Sequence, residues 1–390
     1  MEQSMNGKLV MLLLLGLFGV LAHTKSLAST QIVDLAGREV KIDSPIKRII
    51  LGESRYLTAL AMLDRHNPIE RIVGMLADFK QVDYGSYQQY QAVFPEIDNI
   101  SLVGHTSADS FSVEQVLTLN ADLAIFGLEG HGPTARHGAL IQQLEKSGVS
   151  VLFVDFRHDP LRNTVKSMTL LGQVLGREKE AKEFTDFYQR ELDRVLGRID
   201  VPALMVEETP NVFLHSRVGL EDLCCETMVR GMMASFLDAA GGSNIAKPLI
   251  PGAAGVMNLE YLLSIQPDIY IATGIGSTQN SMDSGADMPP YIVLGAGVDE
   301  ELARQSFMRA IDMTGVKNLT AVKHKRAFAI WHHFYNTPLN VAAVQAFAKW
   351  LYPQTFKDVD PKHTLQQLFD RFQPVPLSGT YWVSLDQESK

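Results

Sequence analysis

Between Glu180 and Ile199 the apolar residues Ala181, Phe184, Tyr188, Leu192, Val195 and Ile199 recur at steps of 3, 4, 4, 3 and 4, which is one helical stripe. Twenty residues at about 1.5 Å each make a rod of roughly 30 Å, about the width of a small domain. Pro202 closes it off. Before this rod, short apolar runs at Arg48–Leu51, Arg71–Met75, Ile100–Val103, Leu123–Phe126 and Val149–Asp155 alternate with longer helical stretches. After it, strands resume at Ala203–Val206, Val212–His215, Ile269–Ala272 and Ala327–Trp331. Alternation of this kind argues for α/β layers. The chain therefore reads as two Rossmann-like α/β lobes, 29–177 and 201–390, joined by one long rigid helix over 178–200. A further helix, Leu339–Leu351, precedes a proline-punctuated tail within the second lobe.

A length of 390 residues suits two lobes. An internal repeat supports their kinship: Ser112–Gly127 aligns without gaps on Asn258–Thr273 at an offset of 146, matching Glu114 with Glu260, Leu117 with Leu263, Asp122 with Asp268 and Ile125 with Ile271. In open α/β sheets ligands bind beyond the carboxyl ends of the strands. The segments to watch are thus Gly52–Tyr56, Gly104–Ser107, Gly127–His137 and Phe156–His158.

Leu9–Ala22 is an apolar run of 14 residues preceded by Lys8 and followed by small residues through Ser26-Leu27-Ala28. It is too short for the ~20 residues that span a bilayer and reads as a secretory signal, residues 1–28, cleaved near Ala28. Export to the periplasm follows in a cell with two membranes. No cysteine lies near the cleavage site to carry a lipid. The net charge of -9, without a basic run, argues against nucleic acid as a partner.

Enzyme motifs are missing. The chain has no phosphate-cradling loop, no histidine pair bracketing a glutamate and no nucleophile elbow. Histidines are more informative. His332 and His333 follow the strand ending at Trp331, with Phe334-Tyr335-Asn336 next, so imidazole and phenol groups stand where a sheet meets a cleft. They are either metal-binding groups or hydrogen-bonded residues framing a turn. His105, His131 and His137 lie beyond strands of the first lobe. Arg157 and Arg217 occupy similar strand ends, where a guanidinium fork suits an anionic chelate or an ordinary salt bridge. The only cysteines, Cys224 and Cys225, are adjacent. In an exported protein they form a vicinal disulfide, remain buried thiols or act as soft metal ligands.

Several segments resemble the ABC-transporter substrate-binding proteins that capture ferric siderophores, haem and cobalamin. These are Val33-Asp34-Leu35-Ala36-Gly37-Arg38-Glu39-Val40 with Pro45 and Arg48-Ile49-Ile50; Glu114 with Asn120-Ala121-Asp122; Ala239–Ile245; and Leu259-Glu260 with Gln266-Pro267-Asp268. The resemblance runs from about residue 32 to about residue 350. It implies a shallow ligand cleft between the lobes and modest closure. It also implies an ABC permease with its ATPase as partner, one exposed glutamate on each lobe, here Glu114 and Glu260, docking on the permease. Family pockets often use arginines, and some members complete iron coordination with a histidine and a tyrosine, parts that Arg157, Arg217, His332, His333 and Tyr335 match. The adjacent cysteines and the run Trp331–Asn336 depart from the general pattern and point to a subgroup with its own ligand. The expectation is a monomeric, non-enzymatic receptor with no intrinsic cofactor, delivering a metal chelate, foremost a ferric siderophore. Haem, cobalamin or a nickel or cobalt chelate is the alternative ligand. A secreted metal-dependent hydrolase is the alternative from another class.

Overall fold

The computed structural model describes residues 29–43, 45–199, 209–220, 224–276, 290–313 and 315–386. The leader and the strand expected at Ala203–Val206 lie outside the described residues. The chain opens with an antiparallel hairpin of β1 (Ser29–Val33) and β2 (Glu39–Asp43). Its turn is built by Asp34, whose Oδ1 accepts from the backbone of Ala36 and Arg38 at 3.0 and 2.9 Å, and by Gly37 at φ +76°.

β3 (Ile49–Leu51), β4 (Ile72–Met75), β5 (Ser101–Leu102), β6 (Leu123–Gly127) and β7 (Ser150–Val154) form an all-parallel sheet in the order β5-β4-β3-β6-β7. β3 and β6 are buried along their whole length, as expected where helices cover both faces. The second sheet has a parallel centre of β8 (Asn211–His215), β12 (Ile269–Gly274) and β13 (Ala327–Trp331). Shorter strands flank it: β9 (Glu226–Met228) and β14 (Trp382–Ser384) run antiparallel to it, β11 (Ala254–Val256) pairs antiparallel with β9, and β10 (Ser243–Asn244) pairs with β8 in parallel. These flanking strands are two or three residues long, too short to show a period in the sequence.

The repeat is visible atom by atom. Ser112 Oγ caps its helix by accepting from Gln115 N at 3.2 Å, and Asn258 Oδ1 does the same for Tyr261 N at 3.1 Å. Both units turn through a left-handed residue, Asn120 at φ 47° and Gln266 at φ 56°. Asp122 Oδ2 then accepts from Arg48 N at 2.9 Å, and Asp268 Oδ2 from Asn211 N at 2.8 Å. Glu114 and Glu260 thus occupy matching exposed positions in first helical turns.

The long helix spans Glu178–Ile199 and buries Ala181, Phe184, Phe187, Tyr188, Leu192 and Val195. It packs on the Pro160–Leu175 helix of the first lobe and on the Asn340–Leu351 helix of the second. Asn340 fastens the junction: its Oδ1 accepts from Tyr188 Oη at 2.7 Å and its Nδ2 donates to Thr164 Oγ1 at 3.1 Å.

The tail holds more structure than its prolines suggest. Asp360 accepts from Lys362 N and His363 N, Pro361 occupies the first turn, and Leu365, Leu368, Phe369 and Phe372 make the apolar stripe of a Pro361–Phe372 helix. Beyond it Gln373 reaches the first lobe, accepting from Tyr90 Oη at 2.5 Å and donating to Thr58 O at 3.0 Å. The segment after this helix therefore binds both lobes, Gln373 the first and β14 the second.

Candidate functional site

The carboxyl ends of the parallel strands of both sheets face one another. β3 delivers Glu53 and Arg55, β4 Asp78, β6 His131, β7 Arg157, β8 Arg217, β12 Thr273 and β13 the turn His332–Asn336. Asp155 shapes the loop that carries Arg157, since its carboxylate accepts from the backbone of Arg157, His158 and Asp159 at 2.9, 2.8 and 2.9 Å. The glycine loop after β6 is close-packed on β3. A Cβ at Gly130 or Gly132 would collide with the Glu53 carboxylate or the Gly52 carbonyl.

Arg55 is the hub of the interface and is almost wholly buried. Its Nη2 pairs with Glu53 Oε1 and its Nε with Asp78 Oδ2 at 3.3 Å, while Nη1 donates to His333 Nδ1 at 3.0 Å and to Tyr335 Oη at 3.3 Å. Asn336 Nδ2 donates to the same Glu53 oxygen, and His131 N donates to Glu53 Oε2 at 3.3 Å. Asp78 is held further by Ser54 N and Oγ at 2.8 and 2.6 Å. Burial opposes ionisation of Glu53, but Arg55, His131 and Arg157 more than offset it and hold the carboxyl below its usual range. Burial, with Glu53 nearby, pushes Asp78 up to about 6.

A cavity of about 170 Å³ opens here, lined by Arg55, His131, Arg217, His332, His333 and Tyr335 among others. A larger groove of about 840 Å³ lies on the outside of the first lobe, but its Arg71 and Arg177 are both engaged by Asp64 at 3.6 and 3.0 Å. The interlobe cavity is different, because its polar groups point donors inward. Arg55 can only donate, so His333 Nδ1 accepts, and its proton lies on Nε2, which donates to Val82 O at 3.0 Å. Thr273 Oγ1 accepts from Arg217 N at 2.8 Å and lies 3.0 Å from His332 Nδ1, a pairing in which the hydroxyl can donate and leave the hydrogen of His332 on Nε2. Tyr335 Oη likewise accepts from Arg55 and keeps its own hydrogen to donate. Arg157 Nη1 and His131 Nδ1 are buried without a partner among the described residues, and the Arg157 guanidinium lies 5.0 Å over the Tyr335 ring. Burial, with Arg55 close by, lowers His131 to about 4, and burial lowers His332 and His333 well below their ordinary value, so all three imidazoles are neutral at pH 7.

Of the five ligand-binding candidates, the structure thus brings Arg217, His332, His333 and Tyr335 around one cavity, with Arg157 on the Tyr335 ring beside it. Arg217 is compensated by Glu226, whose oxygens lie 2.7 and 2.8 Å from its Nη2. His333 has both ring nitrogens engaged by the protein, so of the imidazoles expected to bind metal only His332 keeps a nitrogen turned to the cavity. His105 is exposed, and His137 accepts from Thr134 N at 3.0 Å in a local turn. The residue that sequence reasoning passed over is Arg55, with its carboxylates Glu53 and Asp78. Cys224 and Cys225 are joined as a disulfide.

Residues 73–330 match the model of a family described as periplasmic binding protein, and the chain belongs to that family. It is 23% identical over 355 residues to the molybdate-binding protein MolA of Haemophilus influenzae, which covers 89% of this chain and 92% of MolA. Among solved structures it resembles the TroA-like periplasmic binding protein FepB of Veillonella parvula, with a TM-score of 0.76 and 24% identity over 91% of this chain and 99% of that one. It also resembles MolA bound to molybdate, with a TM-score of 0.65 and 18% identity over 90% of this chain and 99% of that one. At these identities the structural likenesses establish the two-lobed fold.

Proposed function

We propose that this receptor captures a compact metal oxyanion of the molybdate class in the interlobe cavity and delivers it to an ABC permease and its ATPase. The observation that carries this reading is a donor-rich lining: His332 Nε2 and Tyr335 Oη can offer hydrogens to the cavity, the unpartnered Arg157 Nη1 lies beside it, and the oxygens of Glu53 and Asp78 are turned to Arg55, Asn336, Ser54 and backbone. An oxyanion accepts and never donates, so it suits such a lining. Size agrees, since about 170 Å³ is below the ~300–1,000 Å³ common for larger organic ligands. The molybdate-binding relative supports the same class. No covalent chemistry is required. A ferric siderophore or other metal chelate is the second reading, supported by the His332 imidazole and Tyr335 phenol lying side by side with ring centroids 4.9 Å apart. It requires His332 to present a bare nitrogen and the lobes to part.

Native mass spectrometry and calorimetry with molybdate, tungstate, sulfate and a panel of ferric chelates separate the two. The expected result is one oxyanion per chain, with Arg157→Ala weakening it about 10- to 100-fold, the range for a lost charge-assisted hydrogen bond. Binding of a chelate without any oxyanion would overturn the first reading in favour of the second.

We further infer that Glu114 and Glu260 dock on the two permease halves. They are exposed and equivalent by the repeat, and complementary charge fixes orientation on a two-fold partner. Replacing both by alanine should reduce uptake in cells at least about tenfold while ligand affinity in vitro stays unchanged. Normal uptake by the double variant would reject docking and leave both glutamates as favourable charges at helix N-termini.

A further inference from the structure

Besides the residues that line the cavity, the antiparallel pairing of β8 with β9 brings His215 and the two cysteines together. One ligand atom from each of His215, Cys224 and Cys225 can be chosen so that all lie within 4.8 Å of one another. Cys225 is wholly buried and is anchored by backbone bonds to Met257 at 3.1 and 2.9 Å, while Cys224 is half-buried and reachable from solvent. His215 is oriented by Tyr270, whose Oη lies 2.7 Å from Nδ1, and Phe213 flanks its ring at 5.6 Å. A ring nitrogen fixed by a neutral partner, with the other left for a ligand, is the usual outer support of a metal-bound histidine.

We propose that reduction of the Cys224–Cys225 disulfide converts this cluster into a binding site for a soft or borderline cation of the Zn2+ or Cu+ class, held by two thiolates and the His215 imidazole. The reduction takes two electrons and two protons from a dithiol. One sulfur of the dithiol attacks a cysteine sulfur to give a mixed disulfide. The second then closes on the first, releasing two cysteine thiols and the oxidised dithiol. Binding of a divalent ion displaces the two thiol protons. Two sulfurs and one nitrogen match the donor preference of these ions and exclude Mg2+ and Ca2+, which take oxygen. In the disulfide form the sulfurs are no longer thiolates, so the site is gated by redox state. The site is built from cation ligands, and none of the three is among the residues that line the cavity assigned to the oxyanion.

Cd2+ is the probe, added anaerobically to the purified chain before and after treatment with a dithiol that is then removed. The reduced chain should take two alkylation labels once denatured, and in its folded form bind one Cd2+ with a thiolate-to-metal charge-transfer absorption. The untreated chain should take no label and bind none at this site. His215→Gln should weaken Cd2+ binding at least about tenfold, and Tyr270→Phe, which removes the orienting phenol, by about tenfold should the first variant not fold. Equal binding by the untreated chain, equal binding by the Cys224→Ser/Cys225→Ser double variant, or no binding by the reduced chain would each overturn the proposal. So would unchanged affinity in a folded His215→Gln variant.

Discussion

Arg55→Met should lower the unfolding free energy by about 3–5 kcal/mol, the usual cost of removing one partner from a buried charge cluster. The side chain is 2% exposed and is the common partner of Glu53 and Asp78, which are themselves buried. Methionine fills a similar volume, so the loss comes from stranding charge and not from a void. Asp78 can take up a proton with little resistance because burial, with Glu53 nearby, already holds it near 6. Glu53 is held ionised against its burial chiefly by Arg55, so in the variant it must either stay charged without that partner or take up a proton, and either course costs stability. Arg55 also fixes His333 and Tyr335 across the interface, so ligand affinity should fall in the same variant. Urea unfolding followed by circular dichroism measures the effect. A loss under about 1 kcal/mol would show that the cluster is better solvated than its burial implies.

Asp83→Asn is expected to act in the opposite direction. Asp83 sits between the Asp78–Val82 and Tyr84–Val93 helices, is buried, and has an Oδ1 with no partner among the described residues. Burial raises its carboxyl from 3.8 to about 6, against smaller lowering influences from Ser86 and Arg55. The folded protein therefore holds this proton more tightly than the unfolded chain. Its favourable contribution is complete below about pH 4 and is lost as pH rises through 6. The amide carries no such cost, so the variant should be more stable than the parent by roughly 2–3 kcal/mol at pH 7 and nearly equal to it at about pH 3.5. Parallel denaturation series at the two pH values test this. An equal gain at both would assign it to hydrogen bonding instead of ionisation.

The core strands were legible because β3, β4, β6, β7, β8, β12 and β13 are built around short apolar runs, and parallel sheets covered on both faces leave that mark. The long helix showed itself through period alone, although Phe187 is buried as well and widens the stripe. The edge strand β14 did not, since Trp382–Ser384 becomes a strand only by pairing with β13. At the site, the rule that ligands lie beyond strand ends picked out Gly52–Tyr56 and the His332–Asn336 turn. It could not single out Arg55, whose partner His333 is 278 residues away. Which imidazole nitrogen faces the cavity is likewise a property of Arg55, Thr273 and Val82, none of them neighbours of the histidines in sequence. The helix in the proline-punctuated tail is hard to read because Pro361 breaks a helix when internal but favours one in the first turn, and only the Asp360 cap distinguishes the cases.

The Glu178–Ile199 helix packs against both lobes, and the Gln373 segment ties them a second time. In the proposed docking, these ties set the spacing between Glu114 and Glu260 as a bar sets the spacing of two plugs. Once one carboxylate is seated, the other is presented at a local concentration fixed by geometry and independent of how much receptor is in solution. That gain vanishes when the span no longer matches the partner. A slight turn of one lobe about the helix would thus be felt by the permease as a change in avidity, letting it tell receptors apart by lobe orientation without touching the cargo.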